Sequence, residues 1–285
     1  MFRAIPAALA GTILTGVVLA GPATAADGPI AVIGDYGTDS AAAAQVAAAV
    51  HARDPVAVVT LGDNVYGSVD YPRAVAAHYC RYLASAPPSP QCPAAAMSPV
   101  NRFFPAAGNH DYSDAGIEAF QGTFVAVRSR TWYAVTLGEI EFLILDSQQA
   151  LDDPASMAAQ RTWLQNRAQT SSARWQVAVL HHPPYSSSTG HGSTPAFQWP
   201  YRVWGIDLVL AGHDHGYERL RRWGLTYVVN GSGGASLYPL GTRVMGSIAG
   251  NDRMHGALFL QVRDGRLRGE FRSVQGTLID DFAIE

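Results

Sequence analysis

Ile206-Asp207-Leu208-Val209-Leu210-Ala211-Gly212-His213-Asp214-His215 passes from a β-type apolar run into a glycine turn that carries two imidazoles and a carboxylate. Residues two apart in an extended segment share a side, so His213 and His215 face the same way. The pattern recurs upstream. The apolar run at 30–33 ends at Gly34-Asp35-Tyr36-Gly37, and the run at 56–61 ends at Gly62-Asp63-Asn64-Val65-Tyr66. The run at 103–107 ends at Gly108-Asn109-His110-Asp111, and the run at 175–180 ends at His181-His182-Pro183. Taken singly, a Gly-Asp after a strand is usually a turn or a helix N-cap. Taken together the turns mean more, because five of the nine histidines fall inside them and each sits at an expected strand end. Ligands of α/β sheets bind beyond the carboxyl ends of the strands, so this spacing can gather the polar residues at one edge. Carboxylate and amide oxygens with imidazoles suit iron, zinc or manganese better than a thiolate-loving ion. A carboxylate shared by two ions would build the clamp used for in-line phosphoryl displacement.

The rest of the chain fits an α/β organisation. Residues 40–52 and 158–168 have helical character, and 132–137 with 140–145 read as two strands joined at Gly138. The C-terminal part reads as strands only, at 225–230, 257–262, 267–273 and 277–284. No linker divides it. Residues 186–194 form a Ser-, Gly- and Thr-rich loop of the kind that carries function on a rigid scaffold.

Composition bounds the partners. The 285 residues are 48% hydrophobic and 15% charged, enough for a sizeable core. A formal net charge of −3, with no lysine at all, gives no reason to expect nucleic acid or an anionic membrane as partner. Arg3, the apolar stretch at 5–20 and Ala23-Thr24-Ala25 read as a cleavable leader over residues 1–25. The stretch is shorter than the ~20 residues a spanning helix needs, so the expectation is a secreted soluble protein rather than an anchored one. In an oxidising compartment the lone pair Cys80 and Cys92 reads as one disulfide closing a Pro-rich loop. A metal site from His78 and Cys80 is the alternative, and it lacks further ligands nearby.

From Ile30 to at least Val229 these motifs resemble the calcineurin-like metallophosphoesterases, and within them the small, single-domain purple acid phosphatases. Many members of the wider superfamily open with Asp-x-His. Here position 37 is Gly, and Tyr66 stands where the purple acid phosphatases place a tyrosinate. Gly212-His213-Asp214-His215-Gly216-Tyr217-Glu218-Arg219 also resembles that family's last motif. The resemblance implies a four-layer α/β/β/α sandwich, two mixed sheets flanked by helices, over residues 26–285. Strand alternation alone allows other α/β architectures.

The resemblance also implies a site. Asp35, Tyr66 and His215 would hold ferric iron, Asp63 would bridge, and Asn109, His181 and His213 would hold a divalent ion (iron, zinc or manganese). His181 and His182 compete for one ligand role, and the His-x-Pro spacing of the family favours His181, which leaves His182 behind the ligands, partly exposed or in contact with substrate. Asp111 and Asp214 would orient neighbouring ligands or cap turns. The implied reaction is attack of a metal-bound hydroxide on a small phosphate monoester, with His110 protonating the leaving alkoxide. His191 is read either as an acid or phosphate contact or as a solvated loop residue. A phosphodiesterase or nucleotide-cleaving enzyme with the same metals, and a catalytically silent secreted binding protein, are the competing functions. Elsewhere, Arg219 is read as structural and paired with Glu218, His255 as ordinary, and Trp199, Tyr201 and Trp204 as packing under the loop. Asn230-Gly231-Ser232 is formally a glycosylation sequon.

Overall fold

A computed structural model describes residues 28–84 and 89–285. The expected leader, with Pro87 and Pro88 of the Cys80–Cys92 loop, lies outside the described residues. The strands are β1 (Ile30–Ile33), β2 (Ala57–Thr60), β3 (Phe103–Pro105), β4 (Tyr133–Leu137), β5 (Ile140–Ile144), β6 (Trp175–Leu180) and β7 (Leu208–Ala211). They continue as β8 (Tyr217–Arg222), β9 (Leu225–Asn230), β10 (Ser247–Asn251), β11 (Gly256–Arg263), β12 (Arg266–Ser273) and β13 (Leu278–Ile284).

Two mixed sheets result, ordered β13-β12-β11-β1-β2-β3 and β10-β8-β9-β7-β6-β5-β4. In the first, β1, β2 and β3 are parallel. In the second, β5, β6, β7 and β9 are parallel. Strand alternation sorts the side chains into layers. Ile30 and Val32 point between the sheets, where they join Ile144, Val177, Val179, Leu208 and Leu210. Ala31 and Ile33 point the other way, toward Val46 and Val50 of the helix Ala41–Ala52. On the second sheet Leu143, Ala178, Leu180 and Val209 face outward with Leu164 and Ala168 of the helix Pro154–Thr170. The central strands are therefore apolar on both faces because both faces are covered. The expected four-layer sandwich is the observed fold. Both long helices start on side-chain caps: Ser40 Oγ accepts from Ala43 N at 3.1 Å, and Asp153 accepts from Ala155 N ahead of Pro154.

The C-terminal half contains two strands that sequence reading passed over, β8 and β10. Strand β8 is hidden inside the last motif by Glu218, Arg219, Arg221 and Arg222. Its alternation also corrects the expected Arg219–Glu218 pair. Neighbours on a strand face opposite sides, so Arg219 instead reaches Asp280 of β13 through Nε at 2.7 Å and Nη2 at 2.8 Å. Asn230 of the sequon is fully buried, with Nδ2 donating to Val32 O at 3.0 Å, which leaves no room for a glycan. Trp199, Tyr201 and Trp204 pack in the outer core.

Cys80 and Cys92 form a disulfide, which removes the His78–Cys80 metal alternative. The pair is separated by 12 residues, and closing a loop of that size stabilises by about 3 kcal/mol in the chain-entropy model. Replacing both cysteines by alanine should lower the unfolding free energy by that order in urea titration. An unchanged midpoint would remove the disulfide from the stability of the fold.

Candidate metal centre

The two parallel strand groups end at one edge, where the expected turns meet across the sheets. Asp35 N donates to Gly62 O at 3.1 Å, linking the tips of β1 and β2. Gly212 N donates to His181 O at 3.0 Å, linking β7 and β6. His213 N donates to Asp35 Oδ2 at 2.9 Å and so joins the two sheets. Asp35, Asp63 and His213 adopt left-handed backbone, with φ of 56°, 53° and 69°. Such conformations cost free energy in non-glycine residues and cluster where side chains must be aimed. Gly62 shows why the motif needs glycine: its φ is +98°, and a Cβ there would lie 2.4 Å from His181 Nδ1. Position 37 is equally closed, since a Cβ would lie 2.1 Å from Val65 N. An imidazole cannot enter from that turn, and a ring from the second turn takes the place.

That ring is Tyr66. Its hydroxyl lies 3.1 Å from both Asp35 Oδ1 and His215 Nε2. On the other side, His181 Nε2 lies 3.0 Å from Asn109 Oδ1 and 3.1 Å from His213 Nδ1. Asp63 stands between the groups. Its Oδ1 is 3.4 Å from His181 Nε2, and its ligand atom falls within 4.8 Å of those of Asp35 and His215. Two donors on one ion, each ~2.1 Å from it at right angles, are themselves ~3 Å apart, so these spacings fit shared cations. The rings are oriented from behind. His181 Nδ1 contacts Leu61 O at 2.7 Å and His215 Nδ1 contacts Ser236 O at 2.8 Å. A carbonyl only accepts, so each Nδ1 carries a proton and each Nε2 turns inward.

Charge agrees with this. Burial disfavours an ionised Asp63, yet the neighbouring His181, with His110, holds it down at about 2. Burial likewise opposes a charged His181, yet Asp63 carries it up to about 9. Burial and then the surrounding imidazoles, His181 first, hold His213 far below the ordinary histidine range, so its lone pair stays available. Burial and then the carboxylates of Asp35 and Asp63 push the Tyr66 phenol up. A cation held among these groups would reverse that last effect and would take the place of the proton between Asp63 and His181.

The remaining expected residues surround this cluster. His110 donates its backbone N–H to Asp63 Oδ1 at 3.0 Å and sets its ring 4.3 Å from that of Tyr66. Its Nδ1 is 2.6 Å from Asp114 Oδ2. Asp111 is buried and accepts from Gly108 N, Asn64 Nδ2 and the Tyr71 hydroxyl at 2.8–2.9 Å, capping the short helix Asn109–Ser113. Burial first, then the nearby Asp63, raises its carboxyl to about 7. Asn64 ties the Asp111 network onward to Tyr36 and Thr60. Asp214 accepts from His191 N at 2.9 Å and Gly192 N at 3.1 Å and so pins the Ser-rich loop. His191 is thereby stacked 3.9 Å from His213. His182 does not reach the carboxylates, and its Nδ1 meets Ser147 Oγ at 2.8 Å. His255 meets Ser232 O.

Several neighbours escaped sequence reading. Asp114 could have been found from its i, i+4 spacing to His110, and Ser147 from its place at the end of the β5 run. Tyr238 carries no local signal, although its ring stacks 4.1 Å from His215 and lies 5.6 Å from His191, forming the rim.

Comparison with known proteins places this geometry. Residues 28–217 match the model of the calcineurin-like phosphoesterase family. Purple acid phosphatase 15 of Arabidopsis thaliana is 31% identical over 156 residues, 45% of this chain and 28% of that protein. Phosphoenolpyruvate phosphatase of Allium cepa is 26% identical over 123 residues, 40% of this chain and 24% of that protein. The match thus spans about a quarter of these curated relatives. Among solved structures, purple acid phosphatase PPD1 from yellow lupin (Lupinus luteus) seeds shares the fold at a TM-score of 0.68. It is 20% identical, with 92% of this chain and 54% of that one covered. GAP50, the anchor in the inner membrane complex of Plasmodium, shares it at a TM-score of 0.67, with 16% identity, 90% of this chain and 88% of that one covered. With a family match over most of its length and the motif turns converging on one cluster, the chain belongs to the calcineurin-like phosphoesterase family.

Proposed function

We propose that the chain is a phosphatase with two metal ions that hydrolyses small phosphate monoesters. The observation that carries this reading is the position of Asp63 between two donor sets, Asp35–Tyr66–His215 and Asn109–His181–His213. The first set, with a phenol and a carboxylate, suits ferric iron. The second, with an amide and two imidazoles, suits a divalent iron, zinc or manganese ion. Bound there, the ions would supply an acidified water and neutralise charge on the phosphoryl group.

The chain's own groups do the rest. His110 presents Nδ1–H to Asp114, whose carboxylate stabilises the ring when it is charged. Nε2 is then the edge that delivers a proton to the leaving oxygen. His191, stacked on His213, and Tyr238 beside it would flank the phosphate. Export through the N-terminal leader belongs to this reading and is supported by the Cys80–Cys92 disulfide.

Elemental analysis of natively produced protein should find two metal ions, and nitrophenyl phosphate should be cleaved faster than bis-nitrophenyl phosphate. The reverse preference would favour a diesterase, and a protein that no metal reconstitutes to esterase activity would favour a silent binder. Asp63→Ala should lose both ions and activity; retention of two ions contradicts the shared position. Tyr66→Phe should abolish any visible absorption band, and an unchanged band excludes a tyrosinate ligand. His110→Ala should slow turnover of alkyl phosphates by about 100-fold and of nitrophenyl phosphate far less. Equal losses would point away from proton donation.

A further inference from the structure

Two adjacent histidines follow β6, and the site described so far uses only His181. His182 is 7% exposed and packs its ring 4.4 Å from His213 and 5.1 Å from His181. Its orientation is set by Ser147, fully buried beyond the tip of β5. Ser147 Oγ accepts the backbone N–H of His181 at 3.2 Å and of His182 at 3.1 Å. A hydroxyl has two lone pairs and one hydrogen. Both lone pairs are engaged, so the hydrogen is directed to His182 Nδ1, 2.8 Å away. Nδ1 therefore accepts, and the ring proton resides on Nε2. Among the described residues Nε2 has no hydrogen-bond partner, and it is not among the sealed polar atoms. It lies on the ring edge away from Ser147, while the ring itself packs on His213 and His213 stacks on His191.

We infer that His182 is a fixed N–H donor to a phosphoryl oxygen of the bound substrate, with Ser147 as the positioning residue that locks its tautomer. This rests on the phosphatase reading. The role differs from that of His110, since the His182 proton is presented and kept, not transferred. Such a donor suits an anionic phosphoryl group, whose oxygens only accept.

The test uses zinc-reconstituted protein, imidazole ¹⁵N spectra and titration with inorganic phosphate. Wild-type His182 should show the Nε2–H tautomer. Ser147→Ala should give a mixture of tautomers; a single Nε2–H form in that variant removes Ser147 from the role. His182→Leu should keep both metal ions and weaken phosphate binding about tenfold, the loss expected for one hydrogen bond to a charged group. His182→Gln, whose amide N–H can reach the Nε2 position, should stay within about threefold of wild type. The inference is overturned by an Nδ1–H tautomer, by unchanged phosphate affinity in His182→Leu, by equal weakening in both His182 variants, or by metal loss in His182→Leu. Wild-type protein that neither binds phosphate nor cleaves an ester would instead sink the phosphatase reading itself.

Discussion

Two carboxylates, Asp35 and Asp63, are buried side by side, and among the described residues the ion pairs that reach them come from His215 and His181 alone. Burying ionised carboxylates without compensation costs several kcal/mol each. Backbone donors offset part of that cost, with His213 N on Asp35 and His110 N on Asp63. Each carboxylate is matched by one imidazole: against their burial, Asp63 raises His181 and Asp35 raises His215 toward the charged form. The Tyr66 hydroxyl donates to Asp35 Oδ1 and Asn109 adds an amide oxygen, so neither brings a cation. The protons held between acids and imidazoles mark positions that a cation could take, and the parallel strand tips keep them in one place.

The same constraint explains the surroundings. Leu61 O and Ser236 O each engage an Nδ1, which turns Nε2 of His181 and His215 toward the acids. The left-handed backbone at Asp35, Asp63 and His213 aims those side chains inward. It is held by bonds between strand tips, so stability of the two sheets is what maintains the strain. Behind it, Asn64 and Asp111 form a buried polar network with Tyr36, Thr60 and Tyr71 that is satisfied within itself.

The strands β1, β2, β6, β7 and the turns after them were legible because an apolar run cut short by glycine and a polar ligand is a local signal. The place of Tyr66 beside Asp35 and His215 was legible because Gly37 leaves a gap in a known motif. What sequence could not give was pairing over distance. Arg219 meets Asp280 sixty-one positions away, so its nearest charge, Glu218, was the wrong partner. Tyr238 reaches His215 only because the segment after β9 folds back over the motif. Strand β8 is half polar because Glu218 ties the Ser-rich loop at Ser187 and the start of β10 at Ser247, and periodicity fails on such a strand.

Fold likeness by itself does not choose a function for this chain. A purple acid phosphatase and an anchor protein share its architecture almost equally well, as expected when function resides in sites grafted on a common fold. The discriminating term is electrostatic. A scaffold used only for binding has no need to bury two acids, each tied to an imidazole, in one cluster, and substitution of either acid would relieve the desolvation cost. Here both acids remain, together with every side chain that aims or shares them. The cost borne at the tips of the parallel strands is what the proposed cations would offset.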